Sequence, residues 1–153
     1  MPPATNGMND KTFIDSNILI YAHDADAESK HEIAQRILME LWEKGSGVLS
    51  MQVLQEFYVN VTRKIASPLP RKVARSVISS YAIWCGETTP TEISSAFQIE
   101  DESRIGFWDA MIVAAALKSG ARRILSEDLN AGQMLAGVRI ENPFIESRSR
   151  AQS

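Results

Sequence analysis

From residue 11 to residue 140 the chain alternates short apolar runs with longer stretches whose apolar positions recur every three or four residues. The short runs lie at 12–14 (TFI), 47–50 (GVLS), 123–126 (RILS) and 138–140, with a fifth at 87–89 just before Pro90. Each is too brief for a helix and predicts a strand. The longer stretches carry a helical period. Ile33, Ile37, Leu38, Leu41 and Trp42 mark 27–44, which stops at Gly45. Val53, Leu54, Phe57, Val61 and Ile65 mark 52–65, closed by the breaker Ser67-Pro68-Leu69-Pro70. Val73, Val77, Ile78 and Tyr81 mark 71–84, and Thr91 is placed to cap a helix running to about 103. Residues 107–119 are apolar on almost every side, which predicts a central buried helix ended by Gly120. Short strands alternating with helices imply right-handed crossovers and a parallel sheet of about five strands covered on both faces, an α/β fold.

One interruption of this pattern carries chemistry. In TFIDSNILIY, residues 12–21, Asp15 stands between Phe13-Ile14 and Ile18-Leu19-Ile20. A carboxylate costs several kcal/mol to bury unless it is paired or bound to a metal. Its plain structural reading is a cap for a helix beginning near Asn17. In an open α/β sheet, however, ligands gather at the carboxyl ends of the strands, and three further acids sit at or near such positions. Glu56 lies one turn into the helix after the second strand, Asp109 in the first turn of the apolar helix, and Asp128 just after RILS. Each alone has an ordinary role: Asp109 complements a helix dipole, Asp128 turns the chain, Glu56 faces solvent. Together at one sheet edge they would repel one another unless cations lay between them. Oxygen ligands without histidine or thiol select Mg²⁺ or Mn²⁺, one or two ions, and the matching chemistry is metal-assisted phosphodiester hydrolysis.

Composition narrows the alternatives. A chain of 153 residues, 44% hydrophobic and 23% charged, has the profile of one ordinary domain. The net charge of −3 gives no overall basic field for nucleic acid, so a nucleic-acid partner needs a local patch or metal ions; Arg63-Lys64 and Arg71-Lys72, flanking the proline loop, are the candidate rim. Cys85 is the single cysteine, which excludes an intrachain disulfide and fits a cytoplasmic location. The longest apolar run, 110–117, is far short of the roughly 20 residues of a membrane helix. His23 and His31 have no nucleophile to serve, Cys85 reads as a small core residue, and Trp42, Trp84 and Trp108 read as core or interface residues. No GxGxxG or Walker loop is present. Residues 1–10 read as a flexible leader, 11–146 as the domain and 147–153 as a polar tail.

The residues resemble a known family, the PIN-domain ribonucleases, and within it the VapC-type toxins of type II toxin–antitoxin systems. The resemblance rests on FIDSNILIYA, SMQVLQEFYVNVTRK, GFWDAMIVAAALKSGA and ILSEDLNAGQ in that order, and it implies a three-layer α/β/α PIN-like domain. It implies Asp15, Asp109 and Asp128 as metal ligands and Glu56 as the acid that completes the site or orders the water. Asn17 and Ser126 are implied as supporting residues. Ser16 stands where the family more often has Thr. Glu127 competes with Asp128 for the fourth position, and the spacing from Ser126 favours Asp128. The resemblance further implies Mg²⁺- or Mn²⁺-dependent RNA cleavage by water, a homodimer, and a cognate antitoxin that fills the acidic groove.

Three readings compete with this. A non-toxin PIN nuclease would use the same acids. A catalytically silent PIN-like binding module would not need all four. A phosphatase of the haloacid dehalogenase kind would need a second Asp at position 17, where this chain has Asn.

Overall fold

The computed structural model describes residues 10–145, and the expected leader (except Asp10) and polar tail fall outside them. Strand β1 (Thr12–Ile14) is buried at all three residues, so both its faces are covered. Helix α1 (Ser16–Ala22) follows at once, then a 3₁₀ turn (Ala25–Ala27), α2 (Ser29–Lys44), β2 (Gly47–Val48), α3 (Met51–Arg63) and α4 (Arg71–Tyr81). A second 3₁₀ turn (Ala82–Trp84) leads to α5 (Pro90–Ser103), α6 (Phe107–Ser119), β3 (Arg123–Leu125), β4 (Met134–Leu135) and β5 (Val138–Glu141). No helix among the described residues is long and apolar enough to cross a membrane.

The sheet order is β2-β1-β3-β5-β4. β1 pairs in parallel with both β2 and β3, placing Phe13 beside Val48 on one side and Ile124 on the other, and β3 pairs in parallel with β5. The chain therefore leaves β1 toward one side to make β2 and returns to its other side to make β3. Such a reversal opens a crevice at the carboxyl ends of the two central strands, where Asp15 and Ser126 follow β1 and β3.

The core is continuous. Phe13, Ile14, Ile18, Leu19, Val53, Phe57, Val61, Val113, Ile124 and Ile140 are all fully buried. Helix ends obey local chemistry: Gly45 and Gly120 take left-handed φ of +64° and +80° behind α2 and α6, a conformation that costs glycine nothing.

Several expectations require correction. The sheet is not wholly parallel, because β4 and β5 form an antiparallel hairpin with Leu135 opposite Val138; two residues of strand give no readable alternation. No strand forms at 87–89. A single parallel bridge joins Leu49 to Cys85 instead, since the exposed, polar 86–88 segment has no apolar face to bury. Thr89, not Thr91, caps α5: it forms a capping box with Glu92, its backbone N–H donating to Glu92 Oε1 at 2.9 Å. Helix α6 is not buried all round. Ala110, Ile112, Val113, Ala114 and Ala116 face α5 and the sheet, while Trp108 and Leu117 are 65% and 41% exposed. Trp84 is in the core and Trp42 is half-exposed. Cys85 is half-buried at the core's margin rather than inside it.

Candidate functional site

Asp15 ends β1 and is the N-cap of α1, its Oδ1 accepting the Ser16 N–H at 2.7 Å. The capping and site readings thus describe one side chain. Its other oxygen, Oδ2, accepts the Ser126 hydroxyl at 2.7 Å and the Asn17 amide at 3.4 Å. The Asn17 amide nitrogen also donates to Asp128 Oδ2 at 3.1 Å, while its carbonyl oxygen accepts the Glu127 N–H at 3.1 Å. Ser126, fully buried, accepts the N–H groups of Asp128 and Leu129 at 3.1 and 3.2 Å. Asp15, Asn17, Ser126 and Asp128 therefore form one hydrogen-bonded network across the β1/β3 crevice.

Glu56 and Asp109 approach from the helices. Glu56 projects from α3, half-buried, and Asp109 from the first turn of α6, exposed. They belong to the same electrostatic neighbourhood. Burial, opposed by the hydrogen bonds from Ser126 and Ser16, pushes the Asp15 carboxyl up to about 6, and the charges of Glu56 and Asp128 push it the same way. Asp109 is also raised, by partial burial and by the charges of Asp128 and Glu56.

The Glu127 carboxylate is engaged elsewhere: it accepts from the Lys30 ammonium and the Tyr21 hydroxyl. Of the neighbouring pair, Asp128 is the one whose carboxylate accepts from the Asn17 amide and whose charge is felt by Asp15 and Asp109.

Gln52 was not anticipated. Its amide donates to Glu56 Oε2 and to the Trp108 carbonyl, both at 3.3 Å, joining α3 to the residue before Asp109. Its spacing four residues before Glu56 on a helix was the available signal. Arg63, Lys64, Arg71 and Lys72 are exposed at the facing ends of α3 and α4. His23 packs edge-on against Phe57 and Tyr81, with ring centroids 5.5 and 6.3 Å away. A cleft of about 520 Å³ lies elsewhere, lined by Lys11, Glu40, Arg122, Arg139 and Glu141, and none of the four acids borders it.

The donor set suits a hard divalent cation. It is all oxygen, and Asp15 and Asp109 are each pushed up in part by the charges of Glu56 and Asp128, a repulsion that a cation relieves. Among the described residues no three His, Cys, Asp or Glu side chains stand at the spacing of a ready-made metal cage. The acids sense one another as charges without being drawn together as ligands.

Residues 12–134 match the family model of the PIN domain. The fold is similar to that of VapC20 from Mycobacterium tuberculosis, a sarcin–ricin loop cleaving toxin, at 20% identity and a TM-score of 0.59 over 77% of this chain and 90% of that one. It is similar to FitAB bound to an IR36 DNA fragment at 18% identity and a TM-score of 0.66, over 87% of this chain and 95% of that one. It is also similar to VapBC2 from Rickettsia felis bound to a DNA fragment from its promoter, at 16% identity and a TM-score of 0.60 over 86% and 97% of the two chains. No curated protein matches the chain in sequence.

Proposed function

The chain belongs to the PIN-domain family, and from that membership we propose that it is a metal-dependent endoribonuclease acting as the toxin of a toxin–antitoxin pair. The observation that carries this reading is the linking of Asp15 to Asp128 through Asn17 and Ser126 at the β1/β3 crevice, with the charges of Glu56 and Asp128 pushing up the carboxyls of Asp15 and Asp109. Structural likeness to VapC20, named as a toxin, and to VapBC2 supports the choice of toxin within the family.

In this reading Asp15, Asp109 and Asp128 hold Mg²⁺ or Mn²⁺, and Glu56 completes the site or orients the attacking water. The bound ions supply an activated water and charge neutralisation at the phosphodiester. The chain's own contribution is placement. Asp15 is locked by bonds to Ser16, Asn17 and Ser126, so its orientation is set before any ligand arrives. Attack by water, not by the RNA's 2′-hydroxyl, breaks the P–O3′ bond and leaves 5′-phosphate and 3′-hydroxyl ends. The partners proposed with this activity are the RNA substrate, a cognate antitoxin whose segment fills the acidic groove, and a second copy in a cytoplasmic homodimer.

The test is cleavage of a broad panel of cellular RNAs by the purified, antitoxin-free protein with Mg²⁺ or Mn²⁺. Cleavage that vanishes in Asp15→Ala and Asp109→Ala is expected. Intact RNA throughout, together with growth inhibition unaffected by either substitution, overturns the proposal, and failure to bind millimolar divalent metal by calorimetry favours the silent binding module.

A further inference from the structure

Glu127 sits between Ser126 and Asp128, yet its carboxylate reaches two residues from other parts of the chain. It accepts from the Lys30 ammonium near the start of α2 and from the Tyr21 hydroxyl near the end of α1. The same ammonium lies 5.1 Å from the centre of the Tyr21 ring and 5.7 Å from that of Phe144. Those rings meet edge to face, 5.3 Å apart at 87°. Phe144 is buried, on a turn whose Phe144 and Ile145 N–H groups donate to Asn142 Oδ1 at 3.0 and 3.4 Å. Lys30 thus stands at a junction of α1, α2, the turn after β5 and the loop carrying Asp128.

Two features separate this junction from an ordinary surface ion pair, which contributes little. The side chains of Lys30 and Glu127 are only 33% and 24% exposed, and the cation also covers two aromatic faces, which adds attraction where water is excluded. The Glu127 N–H is itself held by Asn17 Oδ1, so the residue is gripped by backbone on the site side and by side chain on the outer side. The backbone from Ser126 to Leu129 has little freedom while both grips hold. Lys30 is committed to this contact, and its ammonium is accordingly raised above its ordinary range, chiefly by the Glu127 hydrogen bond.

We propose that Lys30, through Glu127, is a positioning residue that latches the β3 exit loop to α1 and α2 and so fixes where Asp128 presents its carboxylate. This rests on the nuclease reading of the site and adds to it a residue from outside the acidic crevice. Lys30 does not touch the reacting atoms. Its contribution is the preorganisation of a neighbouring ligand, and loss of such support ordinarily costs about 10- to 100-fold in activity or metal affinity.

The experiment compares wild type with Lys30→Met and Glu127→Gln, which keep size and remove the ion pair. Three quantities are measured: RNA cleavage with Mn²⁺, Mn²⁺ affinity by calorimetry, and amide hydrogen exchange at 127–129 by NMR. A latch predicts kcat reduced about tenfold with KM unchanged, weaker Mn²⁺ binding, and faster exchange confined to 127–129 while global stability is kept. Lys30→Arg should retain most activity. A Lys30→Met protein with wild-type exchange at 127–129 overturns the proposal, as does one whose defect lies in a salt-dependent KM, the signature of a direct phosphate contact. If wild type cleaves no RNA, the nuclease reading fails while the exchange and Mn²⁺ measurements still decide the latch.

Discussion

Ser126 donates its hydroxyl hydrogen to Asp15 Oδ2 at 2.7 Å across 111 residues of sequence. The parallel register of β1 and β3, with Ile14 beside Leu125, sets the two strand exits side by side. The same hydroxyl oxygen accepts the N–H groups of Asp128 and Leu129, so one buried atom orients one acid and shapes the loop bearing another.

Replacing Ser126 by Ala should therefore cost more than a hydrogen bond. It leaves the Asp15 carboxylate and two amide groups without this partner, at about 1–3 kcal/mol for the buried groups stranded. Urea denaturation at neutral pH should report that loss, with RNA cleavage reduced more steeply than stability. A stability within error of wild type would contradict the assignment.

The pH dependence of the metal-free protein follows from Asp15, whose carboxyl is raised from 3.8 to about 6. A raised acid binds its proton more tightly folded than unfolded, so the contribution of Asp15 to stability is fully present below about 4 and is lost as pH rises through about 6. A shift of this size corresponds to about 3 kcal/mol. Denaturation midpoints of wild type and Asp15→Asn, measured from pH 4 to 7.5 with chelator present, should diverge in favour of the variant as pH rises. Mn²⁺ affinity should fall below about pH 6, where protons compete for the same oxygens.

Glu92 should act in the opposite sense. The Lys118 ammonium at 2.7 Å, with the Thr89 backbone N–H, holds its carboxyl down from 4.5 to about 2. A depressed acid stabilises the fold above its unfolded value, and that contribution is lost as pH falls from about 4.5 through about 2. Glu92→Gln should lower the melting temperature at neutral pH and flatten the acid limb of the stability profile between those values. An acid limb unchanged by the substitution would show that the pair contributes nothing.

Gly47 on β2 is required by contact. A Cβ there would lie 2.7–2.8 Å from three atoms of the Trp84 indole, and Trp84 is itself wedged against Trp42 and Tyr81, with ring centroids 5.3 and 5.2 Å away. Gly47→Ala must displace that ring, and overpacking of this kind costs about 1–3 kcal/mol. Thermal melting with tryptophan fluorescence as the probe should show a lower midpoint and an altered native spectrum.

Much of the frame is legible in one chain because its causes are local. Apolar period distinguishes 12–14 as strand from 107–119 as helix, and glycines 45 and 120 end helices for reasons confined to their own backbone. Asp15 stands out by the cost of placing charge among Phe13, Ile14 and Ile18. The two-residue strand β4 escapes because no period exists over two positions, and Thr89 is legible as a cap only when Glu92, three residues on, is read with it.

What tertiary structure alone decided is which distant groups meet. No local signal says that Asn17 will bond Asp128 or that Gln52 will reach the Trp108 carbonyl. Nor does one say that Glu127 will turn to Lys30 while its neighbour faces the acids. Residue type and spacing determined that an acidic strand exit exists, since burial energy acts on each residue where it stands. The sheet order, β1 between β2 and β3, determined what it faces, because a hydrogen bond or a Coulomb interaction depends on distance in space and not on distance along the chain.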